Sequence, residues 1–144
     1  MDDNYSDEYL REILTEVKAI AVVGASSKSQ RDSYKVMESL IYHGYKVIPV
    51  NPNEVAINIL GQNVYSDLNS IDEPVDMVDV FRSNDAVIGV TEEAIKIGAK
   101  VLWTQLDIIN EEAADIAERA GLKVVMNRCP AVELSKPYWA NSKN

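Results

Sequence analysis

Three glycines mark repeated transitions in the pattern of polar and apolar positions along the chain. Gly44, Gly98 and Gly121 each follow a segment with apolar residues at helical spacing and precede an apolar run. Glycine readily adopts the left-handed backbone conformation that ends many helices. Each junction therefore predicts a helix that leads directly into a strand, and three of them indicate repeated helix–strand units.

The remaining apolar residues extend this alternation over most of the chain. Five short apolar runs predict strands over 20–23, 46–50, 75–80, 101–104 and 122–126. Four amphipathic segments predict helices over 8–18, 33–43, 84–97 and 110–120. Ser83 and Asn110 are the expected N-caps of the last two helices. The segment 53–72 has neither period and is expected to be irregular, with a turn at Gly61.

The alternation predicts an α/β fold with a doubly wound sheet of five parallel strands. Most of the strands are continuously apolar, as expected when helices cover both faces of a sheet. The simplest order of the predicted strands, numbered along the chain, is 3-2-1-4-5. The third strand, which contains Asp76 and Asp79, is the expected edge strand. Ligands of such sheets bind at the carboxyl ends of the strands, where the order reverses.

Length and composition favour one domain over all 144 residues. We expect an N-terminal helix over about 6–18, a core over about 19–134 and a frayed tail over about 137–144. No apolar run reaches the roughly 18 residues of a membrane span, and the acidic residues 1–4 do not resemble a secretory signal. A single cysteine excludes an internal disulfide. A cytoplasmic location is the prediction.

The formal net charge of −9 disfavours nucleic acid as a partner. The segment after the first strand is nevertheless locally basic, because Lys28, Arg31 and Lys35 outnumber Asp32 there. Lys28 and Arg31 are candidates to pair with phosphate oxygens. Taken one at a time, each of these side chains could equally be a solvated surface charge.

The loop between the first strand and the second predicted helix has the features of a phosphate site. Gly24 permits a tight turn, and the small residues Ala25, Ser26 and Ser27 should leave backbone N–H groups uncovered. The helix that begins near Ser33 directs its positive end to the same place. The alternative is a serine-rich turn capped by Ser33. We favour the phosphate site because the loop follows the first strand.

Further candidate ligand contacts follow the other strands. These residues are Asn51, Pro52, Phe81, Arg82, Trp103 and Gln105. Asn51 could hydrogen-bond a ribose or a base, and Arg82 could meet a phosphate. Asn51–Pro52 could also be an ordinary turn, and an isolated Trp103 is more typical of a core.

A dinucleotide or nucleoside triphosphate motif is missing from the loop. A nicotinamide or flavin site requires Gly-x-Gly-x-x-Gly and a carboxylate at the end of the second strand. Here only Gly24 is present, and the second strand ends in Asn51–Pro52. The P-loop motif is absent as well. These departures disfavour NAD and exclude a P-loop nucleotidase.

The sequence resembles the small stand-alone CoA-binding domain proteins over about residues 20–133. The matching segments are VVGAS (22–26), GYKVIPVNP (44–52), VDMVDVFR (75–82), AIKIGAK (94–100), WTQ (103–105) and NRCP (127–130). The resemblance implies a Rossmann-like domain similar to the N-terminal domain of the succinyl-CoA synthetase α subunit. It further implies that the CoA diphosphate lies on 24–27 and the helix start at Ser33. The adenosine would lie near 51–52, and the pantetheine near Phe81 and 103–105.

No catalytic constellation stands out in the sequence. His43 is the one histidine and stands at a helix end, and no His/Cys cluster suggests a metal site. Cys129 is favoured as a small buried thiol over a mixed disulfide with the CoA thiol. The prediction is non-catalytic binding of coenzyme A or an acyl-CoA, with an unidentified protein partner left open. The alternatives are a small NAD(P)-binding Rossmann enzyme and a regulatory subunit with a vestigial nucleotide site.

Overall fold

The computed structural model describes residues 5–137 and 139. The α-helices are α1 (Asp7–Glu16), α2 (Asp32–Tyr42), α3 (Val87–Lys96), α4 (Glu111–Arg119) and α5 (Pro130–Leu134). The strands are β1 (Ala19–Val23), β2 (Lys46–Val50), β3 (Asn58–Ile59), β4 (Gln62–Asn63), β5 (Met77–Val80), β6 (Val101–Thr104) and β7 (Lys123–Val125). Short 3₁₀ helices cover Leu68–Ser70 and Asn84–Ala86.

Five of the strands form one parallel sheet in the order β2-β1-β5-β6-β7. In its middle, Val22 of β1 lies between Pro49 of β2 and Asp79 of β5. Strands β3 and β4 form a separate antiparallel hairpin around Gly61, where the backbone φ is +78°. The predicted fold class, a doubly wound parallel sheet in a single α/β domain, is confirmed.

The predicted order of the strands is wrong. In the numbering of the predicted strands the observed order is 2-1-3-4-5 rather than 3-2-1-4-5, and the third strand (β5) is central and fully buried. The sheet edge is instead formed by β2, which contains Pro49. Proline has no N–H to donate to a neighbouring strand, so it is tolerated at an edge. Asp76 precedes β5, and Asp79 is accommodated inside the sheet.

Helices cover both faces of the sheet. Val23, Val80 and Leu102 pack with α3 and α4 on one face, whereas Ile20 and Val125 pack with α1, α2 and α5 on the other. Consecutive residues of the strands alternate between the two faces. The carboxyl ends of all five parallel strands therefore lie at the same end of the sheet, between the two helical layers.

Several local predictions differ from the structure. The predicted helix 84–97 is divided into the 3₁₀ helix Asn84–Ala86 and α3. Ser83 does not cap it, since its hydroxyl donates to Asp85. Asn110 does cap α4, where its Oδ1 accepts from the N–H of Ala113 at 2.9 Å. The short helix α5 was not predicted, and the predicted tail falls mostly outside the described residues.

Within residues 5–137 and 139, no helix is both long and apolar enough to cross a membrane.

Candidate functional site

The loop after β1 is pressed against the end of β5. Gly24 has a φ of +92°, and a Cβ atom built there would lie 2.2 Å from the carbonyl oxygen of Phe81. Only glycine fits this conformation and this close approach. Since β1 and β5 are the strands between which the order reverses, Gly24 and Phe81 mark the switch point of the sheet.

Most of the loop amides expected to be uncovered already have acceptors. The N–H groups of Gly24 and Ala25 donate to the carbonyl of Val50, at 2.9 and 3.3 Å. The N–H of Ser27 donates to the carboxylate of Glu54 at 2.7 Å. The expectation of uncovered N–H groups is therefore wrong for Ala25 and Ser27. Among the described residues, the N–H of Ser26 has no partner.

Glu54 places a carboxylate directly on this loop. Its two oxygens accept from the N–H of Ser27 at 2.7 Å and from the Ser27 hydroxyl at 3.1 Å. Glu54 lies four residues beyond the end of β2, where the chain turns back through a bond from its N–H to the carbonyl of Asn51. The sequence offered one signal for this position, an acidic residue shortly after the second strand. Glu54 is not among the predicted site residues, because the dinucleotide motif places its carboxylate at the tip of the second strand.

The side chain of Asn51 holds two loops together. Its Nδ2 donates to the carbonyl of Ala25 at 2.7 Å, and its Oδ1 accepts from the N–H of Asn53 at 2.9 Å. Asn51 therefore ties the turn after β2 to the loop after β1. This structural role explains the residue without a ligand.

Three cavities lie along the carboxyl ends of the parallel strands. The first has a volume of about 410 Å³ and lies on the α3 side. The residues that characterise it are Gly24, Asn51, Pro52, Asp67, Arg82 and Glu93. Two carboxylates thus accompany one guanidinium. Asp67 and Glu93 were not predicted, because they lie in a loop and in the middle of a helix.

The second cavity, of about 660 Å³, lies between the end of β5 and helix α2. The residues that characterise it are Lys35, Phe81, Arg82, Gln105, Leu106 and Cys129. Apolar and aromatic groups are combined there with an amide and a thiol. Volumes of this size are typical of small-molecule sites.

The third cavity, of about 470 Å³, surrounds the start of α2. The residues that characterise it are Gly24, Ser26, Lys28, Arg31, Ser33 and Glu54. No side chain caps the first turn of α2, which begins after Arg31. Two cationic side chains and the positive end of a helix therefore share this cavity with the carboxylates of Asp32 and Glu54.

Most of the predicted site residues are brought together at this edge. Those that line at least one of the three cavities are Gly24, Ala25, Ser26, Lys28, Arg31, Ser33, Asn51, Pro52, Phe81, Arg82 and Gln105. Ser27 is engaged with Glu54 instead. Trp103 has 0% exposure and donates from Nε1 to the carbonyl of Arg128 at 2.9 Å. The structure therefore places Trp103 in the core, because β6 turns this side chain inward.

Two polar side chains near the site are buried without a partner in the described residues. Asp79 has 0% exposure, and neither carboxyl oxygen is hydrogen-bonded. Burial raises the pKa of Asp79 well above its ordinary value, which favours the protonated, uncharged form of this acid. Gln105 has 7% exposure, and its Oε1 is likewise unbonded.

Comparison with known proteins identifies a family. The family described as "CoA binding domain" matches residues 18–135. The chain is 40% identical over 126 residues to the uncharacterized protein YneT of Bacillus subtilis, which spans 88% of this chain and 92% of that protein. A solved structure of a hypothetical protein from Pyrococcus horikoshii has a TM-score of 0.87 at 44% identity, with 92% of each chain covered.

A larger enzyme subunit contains a similar segment. The α subunit of ADP-forming acetate–CoA ligase I from Pyrococcus furiosus is 37% identical over 95 residues. This is 63% of this chain but only 21% of that subunit.

A second solved structure of similar size, from Thermus thermophilus, has a TM-score of 0.85 at 34% identity. The match covers 90% of this chain and 96% of that chain. The match of the family over 118 residues and the common Rossmann-like fold lead to one conclusion. This chain belongs to the CoA-binding domain family.

Proposed function

We propose that this protein binds coenzyme A or an acyl-CoA without catalysing a reaction, along the groove that the three cavities form. One observation carries the proposal, which is that the cavities share their lining residues. Gly24 lines the first and third, Phe81 the second and third, and Arg82 the first and second. One long ligand with a diphosphate at its centre can therefore occupy all three.

The third cavity is the proposed seat of the diphosphate. Lys28 and Arg31 supply cationic groups, and the N–H of Ser26 and the open first turn of α2 supply donors. The carboxylate of Glu54 already occupies the N–H and hydroxyl of Ser27. Phosphate oxygens would take over these donors, and the carboxylate would move away because like charges repel.

The first cavity is the proposed seat of the adenosine. Pro52 and Val90 offer apolar contact, and Arg82 offers a cationic group. Asp67 and Glu93 each accept a backbone N–H through one oxygen, from Ser70 and Leu68 respectively. Their second oxygens can accept from ribose hydroxyls or from the adenine amino group.

The second cavity is the proposed seat of the pantetheine arm. Phe81 and Leu106 provide apolar contact for its alkyl groups, and Gln105 provides an amide for its amide groups. In this arrangement the thiol end of CoA reaches the neighbourhood of Cys129.

A binding role without catalysis is supported by the distribution of reactive groups. Within the described residues no group of three or more His, Cys, Asp or Glu side chains could hold a metal ion. His43 follows the C-terminus of α2, and its Nδ1 lies 2.8 Å from the carbonyl of Ser39. The third cavity lies at the other end of this helix, so the one histidine is remote from the proposed ligand.

NAD(P) is the second candidate, and Glu54 is the observation that favours it. Dinucleotide sites use a carboxylate after the second strand to bind ribose hydroxyl groups. Glu54 brings such a group to the third cavity, although the loop has only Gly24 of the three glycines. Ligand comparison separates the two candidates.

The test is thermal unfolding of the whole protein with CoA, acetyl-CoA, NAD and NADP in parallel. CoA and acetyl-CoA should stabilise the fold by about 2.7 kcal/mol at a concentration of one hundred times Kd. Stabilisation by NAD or NADP alone would favour the dinucleotide enzyme. No stabilisation by any of the four would favour a vestigial site.

A charge variant localises the effect. The double substitution Lys28→Gln and Arg31→Gln should weaken CoA binding at least tenfold, because each removes a charge-assisted contact. The unliganded melting temperature should hardly change, since Arg31 is exposed and neither side chain belongs to the core. Lys96→Gln, an exposed charge at the far end of α3, is the control and should leave CoA binding unaltered.

A further inference from the structure

Cys129 lines the second cavity beside the residues proposed to hold the pantetheine arm. It is the single cysteine of the chain and is unpaired. Its exposure is 7%, and it stands between the end of β7 and the start of α5. Phe81 and Gln105, at the ends of β5 and β6, line the same cavity. The thiol is therefore at the switch-point side of the sheet, within the groove.

Gln105 gives independent evidence that this cavity has an occupant. Its side chain is more than nine-tenths buried and lines the cavity, yet its Oε1 has no hydrogen-bond partner in the described part of the chain. A buried acceptor without a donor is unfavourable, so native proteins rarely retain one without a reason. The pantetheine arm contains two amide groups, and an amide N–H is the donor that Gln105 lacks.

We propose that Cys129 is a thiol–disulfide exchange site for CoA, so that the protein holds CoA covalently as well as reversibly. This inference rests on the proposed function, because the groove must first bind the nucleotide part. Bound in the groove, the sulfur of a CoA disulfide is held near Cys129 at a high effective concentration.

The substrate of the exchange step is a disulfide that contains CoA, and this disulfide is itself the oxidant of the step. The thiolate of Cys129 attacks the sulfur of the bound CoA moiety, and its own proton passes to solvent. A new bond forms between Sγ and the CoA sulfur as the original disulfide bond breaks. The leaving thiolate takes up a proton and departs as a free thiol. A second thiol that attacks the CoA sulfur reverses the reaction, which regenerates the Cys129 thiol and releases a CoA disulfide.

The side chains that line the cavity around Cys129 carry charges of both signs. Lys35 and Arg82 line the cavity with positive charge, and Asp32 and Asp107 line it with negative charge. The proposed selectivity comes from the bound nucleotide, which holds its disulfide beside Cys129. This source of selectivity decides which measurements test the proposal.

The experiment measures adduct formation on the whole protein by intact mass spectrometry. CoA disulfide should add one CoA to the wild-type chain, and Cys129→Ser should form no adduct. The reaction should be at least ten times faster than that with glutathione disulfide, which lacks the nucleotide. Excess 3′-phosphoadenosine 5′-diphosphate, which lacks the pantetheine arm, should remove this advantage.

The remaining outcomes overturn the inference, and calorimetry of CoA binding separates it from the proposed function. If Cys129→Ser and the wild type both bind CoA but the wild type forms no adduct, only the exchange site is refuted. Equal rates with CoA disulfide and glutathione disulfide also refute it, because the thiol would then be merely accessible. Absence of CoA binding to both proteins refutes the exchange site and the proposed function together.

Discussion

At the scale of single residues, Asp76 and Asp79 show opposite effects of their surroundings on a carboxyl group. Burial opposes ionisation of Asp76, but the backbone N–H groups of Ala19 and Lys18, with Lys100 and Lys18 nearby, outweigh it and lower its pKa. Asp79 is buried without a compensating hydrogen-bond partner among the described residues, and this burial raises its pKa. Two residues of one short segment therefore affect stability with opposite signs.

Asp79→Asn should remove a pH-dependent loss of stability. Because the folded-state pKa of Asp79 is raised above the ordinary 3.8, the unfolded chain ionises first as pH rises. Wild-type stability should therefore fall above about pH 4, at up to roughly 1.4 kcal/mol per pH unit for one group. In urea denaturation between pH 3 and 7, the free energy of unfolding of the variant should rise relative to that of the wild type as pH rises.

Asp76→Asn is the matched control with the opposite sign. Its folded-state pKa is lowered, so its contribution is present above pH 3.8 and is lost as pH falls through the folded-state pKa. The variant should be less stable than the wild type at pH 7 and equal to it at the acid end. Parallel stability curves for the wild type and Asp79→Asn would contradict a raised pKa for Asp79.

Glu54→Gln should strengthen CoA binding. The change removes a negative charge from the proposed diphosphate seat while it retains the size of the side chain. A repulsion of about 1 kcal/mol between nearby charges in water corresponds to roughly a fivefold lower Kd. Titration calorimetry measures it. Glu38→Gln, an exposed change of equal charge on α2, should have no effect, and weaker binding by Glu54→Gln would show that the carboxylate shapes the loop.

Gly24→Ala should disrupt the switch point. The added Cβ would lie 2.2 Å from the carbonyl oxygen of Phe81, and the φ of +92° is itself unfavourable for alanine. We expect a loss of about 3 to 5 kcal/mol in the free energy of unfolding, together with loss of CoA binding. Gly44→Ala shares the positive φ but meets no atom within 4 Å, so it should cost only roughly 1 kcal/mol. Equal losses in chemical denaturation would contradict the contact.

At the scale of secondary-structure elements, the site depends on a loop that belongs to a neighbouring strand. The turn after β2 supplies both Asn51, which binds the carbonyl of Ala25, and Glu54, which binds Ser27. The loop after β1 is therefore shaped by β2 at the sheet edge and by Phe81 after β5. The conformation of the proposed phosphate loop therefore depends on three strands.

Helix α1 should contribute to stability and not to binding. Its residues Leu10, Ile13 and Leu14 are buried, and the hydroxyl of Tyr9 donates to the carbonyl of Val124 at 3.0 Å. Leu10→Ala should lower the free energy of unfolding by about 2 to 5 kcal/mol and leave the Kd for CoA unchanged. Thr15→Ala, on the exposed side of α1, is the control and should change neither the free energy of unfolding nor the Kd for CoA. A changed Kd in Leu10→Ala would show coupling between α1 and the groove.

At the scale of the whole molecule, the groove of this acidic protein contains charged side chains of both signs. The net charge is −9. The three cavities are lined by the cations Lys28, Arg31, Lys35 and Arg82 and by the carboxylates Asp32, Glu54, Asp67, Glu93 and Asp107. The local charge at contact distance governs the binding of a small anion more strongly than the total charge does. The total charge remains unfavourable for nucleic acid.

Continuity of the groove predicts a difference between CoA and its nucleotide fragment. CoA should bind at least ten times more tightly than 3′-phosphoadenosine 5′-diphosphate, which leaves the second cavity empty. Phe81→Ala should weaken CoA binding and have less effect on the fragment, because Phe81 lines the second cavity as well as the third. Calorimetry with both ligands, on protein shown to be folded by circular dichroism, measures the difference. Equal affinities in the wild type would contradict an extended site.

The sequence by itself predicted the five strands of the parallel sheet and helices at the positions of α1 to α4. Gly44, Gly98 and Gly121 all have positive φ, and the apolar periods on either side are local properties of the chain. Local spacing also identified the loop at Gly24 and the strand ends that form the groove. The same information did not fix which strands are neighbours, although Pro49 in β2 was a signal for the edge.

Only the tertiary structure decided the order of the strands, the position of Glu54 and the raised pKa of Asp79. Each depends on contacts between residues that are distant along the chain, such as Ser27 with Glu54 or Gly24 with Phe81. Periodicity reports which side of an element is apolar, but it does not report which element packs there. Burial and hydrogen bonding, which set the pKa of a buried acid and the acceptors of loop amides, are defined only when that packing is known.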